Sequence, residues 1–230
     1  MPDALMLFAA GFGTRMGALT RTMPKPLLPV AGRPLIDRAL DLAAAAGIGR
    51  IVVNAHYRAA QIEAHLEHRD VAVSHEAAGI LDTGGGLRAA LPLLGRAPCF
   101  TLNPDAVWRG ANPLSALADA WRPDEMGALL MLLPAESALG RDGRGDFSAD
   151  ANGRLTRGGQ FLYTGAQILD PVWLDGIEDD VFSLNVVWDR IAAEGRLYGI
   201  VYRGAWCDVG SPAGLDAAAA LLEESHVRAE

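Results

Sequence analysis

Apolar positions along the chain fall into short runs that alternate between strand and helix spacing. Ala4–Ala10 is a continuous apolar run closed by Gly11-Phe12-Gly13, which predicts a strand buried on both faces. From Pro34 to Ala46 the residues Leu35, Ile36, Ala39, Leu40 and Ala43 share one helical face, and Gly47 stands where a helix ends in the left-handed conformation. The same reading predicts strands over Ile51–Asn54, Val71–His75, Cys99–Leu102 and Gly127–Leu133. Helices are predicted over Ala59–Glu67, Thr83–Leu94 and Pro113–Trp121. This alternation predicts an α/β fold, a Rossmann-like, mostly parallel sheet flanked by helices on both faces. The second half changes style. Asn152-Gly153 sits between the short polar segments of Asp146–Arg157, a hairpin signal. Phe161–Leu169 and Leu197–Tyr202 predict strands and Ser183–Glu194 a helix. Pro212–Glu224 predicts an alanine-rich closing helix with Pro212 in its first turn. No internal repeat or low-complexity linker divides the chain, so one domain over 1–230 is expected.

Composition narrows the function classes. The 230 residues are 50% hydrophobic and 21% charged, a globular balance. The formal charge of −8 argues against nucleic acid or an anionic membrane as partner, but not against one small anion held by a local cluster of cations. Cys99 and Cys207 are too few for a disulfide framework. Met1-Pro2-Asp3 lacks the basic start of a signal peptide, and no apolar run approaches the roughly 20 residues of a membrane span. A cytoplasmic protein is expected, monomeric or a small homo-oligomer, since no long apolar stripe demands a partner. No hexapeptide β-helix repeat points to an appended acyltransferase module.

The chemistry-bearing signal is Ala9-Ala10-Gly11-Phe12-Gly13-Thr14-Arg15 at the end of the first strand. Glycines there let backbone N–H groups approach a phosphate chain, and Thr14 and Arg15 add a hydroxyl and a guanidinium. The Rossmann pattern fails at Met16, where it needs glycine, and no Gly-Lys-Ser/Thr follows as a Walker loop requires. The competing reading is a tight strand-to-helix turn. Of the 20 basic residues other than histidine, one is lysine, Lys25. It lies near this loop between Pro24 and Pro26, which restrict its backbone, and a compact ammonium suits a point contact to a phosphate oxygen.

The residues Leu7–Arg15, with Pro24-Lys-Pro-Leu-Leu-Pro-Val-Ala-Gly-Arg-Pro-Leu-Ile36, resemble the signature of the sugar-1-phosphate nucleotidyltransferases. Asp82-Thr-Gly-Gly-Gly86, Asn103-Pro-Asp105, Gly143–Phe147 and Trp206–Gly210 extend the resemblance over most of the chain, and Thr83–Gly86, Gly143–Phe147 and Trp206–Gly210 are most similar to the branch that joins UTP to N-acetylmuramic acid 1-phosphate in peptidoglycan recycling. The resemblance implies a GT-A-like fold, with a nucleotide-binding half over about 1–110 and a smaller sugar-binding lobe over about 111–230. It implies an Mg²⁺ cofactor held by Asp105 and Asp208. Of these, Asp105 follows a predicted strand, and Asp208 is expected in a turn after the last one. Read without the resemblance, either aspartate is as well a helix cap or a turn residue.

The implied partners are a nucleoside triphosphate and a sugar 1-phosphate, whose oxygen attacks the α-phosphorus. Arg15 and Lys25 are the implied catalytic residues. Ala10, Gly11, Gly13, Thr14, Thr83, Gly84, Gly85 and Asn103 join them at the nucleotide, and Gly145, Asp146, Thr164 and Gly165 are candidates at the sugar. Pro104 stands where relatives often have glycine. Some relatives place a second lysine on the sugar phosphate; this chain has none, and Arg203 and Arg144 are candidate substitutes. Alternatives are a mannose- or heptose-1-phosphate guanylyltransferase, a phosphocholine cytidylyltransferase, or a non-catalytic nucleotide-binding regulator. His65 and His68 lack a third ligand and are read as a solvated helix face.

Overall fold

The computed structural model describes residues 1–141 and 143–227. In chain order the regular elements are β1 (Ala4–Phe8), β2 (Pro29–Val30), β3 (Arg33–Pro34), α1 (Leu35–Ala45), β4 (Arg50–Ala55), α2 (Ala59–Leu66), β5 (Ala72–His75), α3 (Asp82–Leu94), β6 (Cys99–Leu102), β7 (Ala106–Arg109), α4 (Pro113–Ala120), β8 (Ala128–Pro134), β9 (Gly145–Ala149), β10 (Leu155–Gly159), β11 (Phe161–Leu169), α5 (Leu184–Ala193), β12 (Leu197–Val201), β13 (Ala205–Asp208) and α6 (Pro212–Val227).

Strands β5, β4, β1 and β6 are parallel neighbours. Strand β11 lies antiparallel against β6, and β8 and then β12 continue the sheet beyond its other edge. In this row β11 alone opposes the rest, so the sheet is mixed but mostly parallel, as the alternation predicts. The β9–β10 hairpin branches from the start of β11. Its turn is closed by Asp150, which accepts from the N–H groups of Asn152 and Arg154, and Gly153 takes φ +82°.

Strand β1 explains its own apolar run. Leu5 and Leu7 pack with Ile36, Leu40 and Leu114 on one face of the sheet. Met6 packs with Leu87, Leu91 and Leu130 on the other. Helices therefore cover both faces, and the free ends of the parallel strands open into loops where ligands of open α/β sheets bind.

Two short pairings escape the sequence pattern. β2 and β3 form a tight hairpin, and β7 pairs antiparallel with β13 in a separate two-stranded sheet. That small sheet is held by α6, with Val107, Cys207, Val209, Ala218 and Leu221 in one buried cluster. Asp208 is thus the last residue of β13, not a residue of the turn beyond it.

Candidate active site

Three adjoining cavities line the carboxyl ends of the parallel strands, about 290, 280 and 230 Å³ in volume, and Phe8 at the end of β1 walls all three. The first is enclosed by the glycine loop, Lys25 and Asp105. The second lies toward β9 and α5, with Asn103, Arg141, Asp146, Arg157 and Trp188. The third joins them, with Ala10, Asn54, Glu76, Asp82 and Thr83.

The loop after β1 is shaped by Gly13. Its φ of +63° favours glycine, and a Cβ there would come within 3.0 Å of both Lys25 Cβ and Thr20 Cγ2. The loop thereby packs directly on the Lys25 stem. Lys25 begins a single 3-10 turn between its two prolines. It is only 8% exposed, and its Nζ donates to Asp105 Oδ2 at 2.5 Å.

Asp105 and Asp208 are far apart in sequence and are joined by strand register. Ala106 of β7 pairs with Asp208 of β13, and the Val209 N–H donates to the Asp105 carbonyl at 2.9 Å. Burial pushes the Asp208 carboxyl above the usual carboxylate range, and the charge of Asp105 adds to this. Lys25, Arg15 and Arg141 oppose it. Arg15 reaches the same place: a Cβ on Gly210 would lie 2.6 Å from Asp208 Oδ2 and 3.1 Å from Arg15 Nη1. Glycine at 210 lets these groups converge. Among the described residues no three His, Cys, Asp or Glu side chains form a metal cage. Two neighbouring carboxylates at the edge of the first cavity instead suit Mg²⁺, which takes one or two carboxylates and completes its shell with water and substrate phosphates.

A buried polar chain braces the third cavity. Asn54 Oδ1 accepts from the Ala9 N–H at 2.7 Å, and Asn54 Nδ2 donates to Glu76 Oε1 at 2.6 Å. Glu76 Oε2 accepts from the Leu81 N–H at 2.8 Å. The chain ties the start of the glycine loop to the start of α3. There Asp82 takes φ +61°, unusual for a residue with a side chain, and its carboxylate accepts from the Thr83 N–H and hydroxyl.

Ten of the sequence-predicted site residues line the three cavities: Ala10, Gly11, Gly13, Thr14, Arg15, Lys25, Thr83, Asn103, Asp105 and Asp146. Asp208 joins them through Arg15 and Asp105. Five do not line the cavities, for packing reasons. Gly84 and Gly85 lie under Phe182, whose carbonyl accepts from both of their N–H groups. Thr164 is 2% exposed and donates to the Met131 carbonyl at 2.7 Å, inside the sheet. Gly165, at φ +90°, turns its carbonyl onto the Asn103 N–H, so it positions Asn103 from behind. Gly145 faces the backbone of Gly159 and Phe161, where a Cβ would meet atoms at 2.5 Å.

Arg144 and Arg203 are exposed and line none of the three cavities. His65 is not on a solvated face but pairs with the largely buried carboxylate of Asp37, which Arg69 also contacts. Sequence reasoning missed Phe8, Arg141, Arg157 and Asp82 as lining residues. Asp82 lay inside a noted motif and Phe8 immediately before the glycine loop; the two arginines carry no signal among so many.

Comparison with known proteins bears on this geometry. Residues 5–136 match the family model of the MobA-like NTP transferase domain. An N-acetylmuramate alpha-1-phosphate uridylyltransferase of Caulobacter vibrioides is 41% identical, covering 97% of this chain and 98% of its own. One of Neisseria meningitidis serogroup B is 35% identical over 94% and 96%. A solved UDP-glucose pyrophosphorylase, complexed with UDP-glucose, superposes with a TM-score of 0.79 at 16% identity over 98% of this chain and all of that one, a likeness of fold. By the family model and these full-length relatives, the chain belongs to the sugar-1-phosphate nucleotidyltransferases, built on the MobA-like NTP transferase domain.

Proposed function

We propose that the protein transfers the uridylyl group of UTP to N-acetylmuramic acid 1-phosphate, forming the UDP-sugar and pyrophosphate for peptidoglycan recycling. The observation that carries the chemistry is the convergence of Lys25, Arg15 and Asp105 on one pocket, with Asp208 within electrostatic reach of all three. The choice of base and sugar follows the full-length relatives.

The sugar phosphate is already a nucleophile, so no Ser-His-Asp arrangement is needed. Two anions must meet, and the protein acts by positioning them and neutralising charge. The nucleotide occupies the first and third cavities, built mostly by residues 1–110. The sugar occupies the second, to which Arg141, Asp146 and Arg157 contribute. Lys25 contacts the α-phosphate from its buried stem. Arg15 and the Gly13 and Thr14 amides hold the β- and γ-phosphates that leave. Ala10, Gly11 and Thr83 flank the base and Asn103 the ribose or a phosphate. Asp105 and Asp208 would hold Mg²⁺, which when bound supplies charge neutralisation and orientation of the phosphates.

The test is pyrophosphate release with Mg²⁺ across four nucleoside triphosphates and a panel of sugar 1-phosphates. A dominant signal for UTP with N-acetylmuramic acid 1-phosphate is expected. Another dominant pair overturns the substrate assignment and leaves the chemistry. Nucleotide binding with no release for any pair overturns the enzymatic reading.

A further inference from the structure

The sugar-side cavity must accept a phosphate and hold it against a second anion. The chain's one lysine is engaged with Asp105 on the nucleotide side. Among the described residues, two cations line the sugar-side cavity, Arg141 and Arg157. Arg157 is committed to the fold. Its Nε donates to Asp189 at 2.7 Å, Nη1 and Nη2 donate to the Asn185 side chain and carbonyl at 2.9 and 2.8 Å, and its guanidinium lies over Phe147 and Trp188. Arg141 makes long contacts to Asp146, 3.3 and 3.5 Å from Nη2, and its side chain is 37% exposed. A charge-assisted pair normally closes to about 2.7–2.9 Å. Arg141 is therefore lightly held.

Its place is nevertheless set by backbone. Leu139 bridges to Cys207, the Leu139 N–H donates to the Trp206 carbonyl at 3.3 Å, and the Asp208 N–H donates to the Leu139 carbonyl at 2.9 Å. Gly140, at φ +72°, lies directly on the Asp208 backbone: a Cβ there would be 2.1 Å from the Asp208 carbonyl oxygen. This strap delivers the next side chain into the cleft, within electrostatic reach of Asp208 and in contact with Asp146.

We propose that Arg141 is a catalytic residue that binds the phosphate of the incoming sugar 1-phosphate with its guanidinium fork. The proposal rests on the nucleotidyl-transfer reading above. In that step a sugar-phosphate oxygen forms a bond to the α-phosphorus. The bond from the α-phosphorus to the α,β-bridging oxygen breaks, its electron pair leaves with pyrophosphate, and no proton moves. Arg141 stays charged throughout and exchanges its long contact with Asp146 for the non-reacting oxygens of the nucleophile.

The experiment compares wild type, Arg141→Ala and Arg141→Lys in two readouts. One is KM for each substrate. The other is calorimetric titration of N-acetylmuramic acid 1-phosphate and of N-acetylglucosamine 1-phosphate, which lacks the lactyl carboxylate, into protein without nucleotide. Arg141→Ala should raise the KM for the sugar phosphate at least about tenfold and leave that for UTP within about twofold, the scale of one charged contact. It should weaken both sugar phosphates alike, and Arg141→Lys should recover part of the loss. A loss confined to the lactyl-bearing sugar would assign Arg141 to the carboxylate and overturn the proposal. So would equal changes in both KM values, or none, in an active enzyme. A wild type that neither binds a sugar 1-phosphate nor releases pyrophosphate overturns the underlying reading as well.

Discussion

Replacing Gly85 by alanine separates a glycine kept for a ligand from one kept for packing. A Cβ at this position would lie 2.3 Å from the Asp180 carbonyl oxygen and 3.1 Å from Leu81 Cβ. Ordinary carbon–oxygen contacts begin near about 3.3 Å, so the chain at Asp180 must retreat by about 1 Å. That chain is backbone and is tied down: the Phe182 N–H donates to the Leu81 carbonyl, and the Phe182 carbonyl accepts from Gly84 and Gly85. Alanine gains about 1 kcal/mol of helix propensity in α3. Against this stand about 1–3 kcal/mol of overpacking and about 0.5–1.5 kcal/mol for each backbone hydrogen bond loosened. The net is a destabilisation of about 2 kcal/mol, or a fall in Tm of about 4–8 °C for a chain of this size. Calorimetry measures the first effect, and KM for UTP well below the transition measures any second one, which should be absent. Gly11→Ala is the counterpart. Its Cβ meets nothing within 4 Å and its φ is outside the left-handed region, so stability should hold while the methyl group intrudes on the cleft and raises the KM for UTP. A Gly85→Ala protein as stable as wild type, or one that keeps its Tm but loses nucleotide affinity, refutes the packing argument.

Lys25→Ala should lower kcat/KM by at least about 10²–10³, the usual scale for one preorganised group facing transition-state charge, and near-normal turnover would remove Lys25 from the mechanism. Asp208 has a folded-state pKa raised by burial and by Asp105, so in metal-free protein its contribution to stability declines as pH rises from its unfolded value through its folded one. Asp208→Asn should accordingly stabilise the metal-free protein at neutral pH and flatten that part of the urea-unfolding pH profile; unchanged midpoints would contradict the electrostatics. Thr164→Val should cost about 1–3 kcal/mol by leaving the Met131 carbonyl without its donor, yet leave the KM for the sugar phosphate unchanged in steady-state assays. Burial pushes the thiols of Cys99 and Cys207 up to about 12 and about 11, so neither should react with a disulfide reagent at pH 8 until urea unfolds the chain.

The centre of the main sheet was legible in the sequence because strands such as β1 and β8 are buried on both faces and read as apolar runs. Cys99–Leu102 and Phe161–Leu169 were bounded to the residue. Helices were legible from their stripe and from local chemistry, such as Gly47, left-handed at φ +70° just past α1. Strands β7 and β13 were not. Their stability comes from pairing with each other and from α6 packed across them, neither of which is written in local spacing.

That distinction also divides the site. The glycine loop and Lys25 are close in sequence, so their joint presence could be read before any fold was known. Asp105 and Asp208 become neighbours only through the β7–β13 register, and Arg141 enters only because the Leu139–Gly140 strap lies along the same strand. Gly84, Gly85 and Thr164 show the opposite case, expected at the site from sequence but absent from the lining of the three cavities. They sit in phosphate-loop-like or polar contexts, but a Phe182 carbonyl and a Met131 carbonyl take up their donors. A donor near a cleft informs on ligand binding only once its own hydrogen bonds are counted, because a buried group must be paired whether or not a ligand exists. By that accounting Gly11 and Arg141 face the cleft with few contacts of their own, whereas Gly84, Gly85, Thr164 and Arg157 are engaged in packing or hydrogen bonds of the fold.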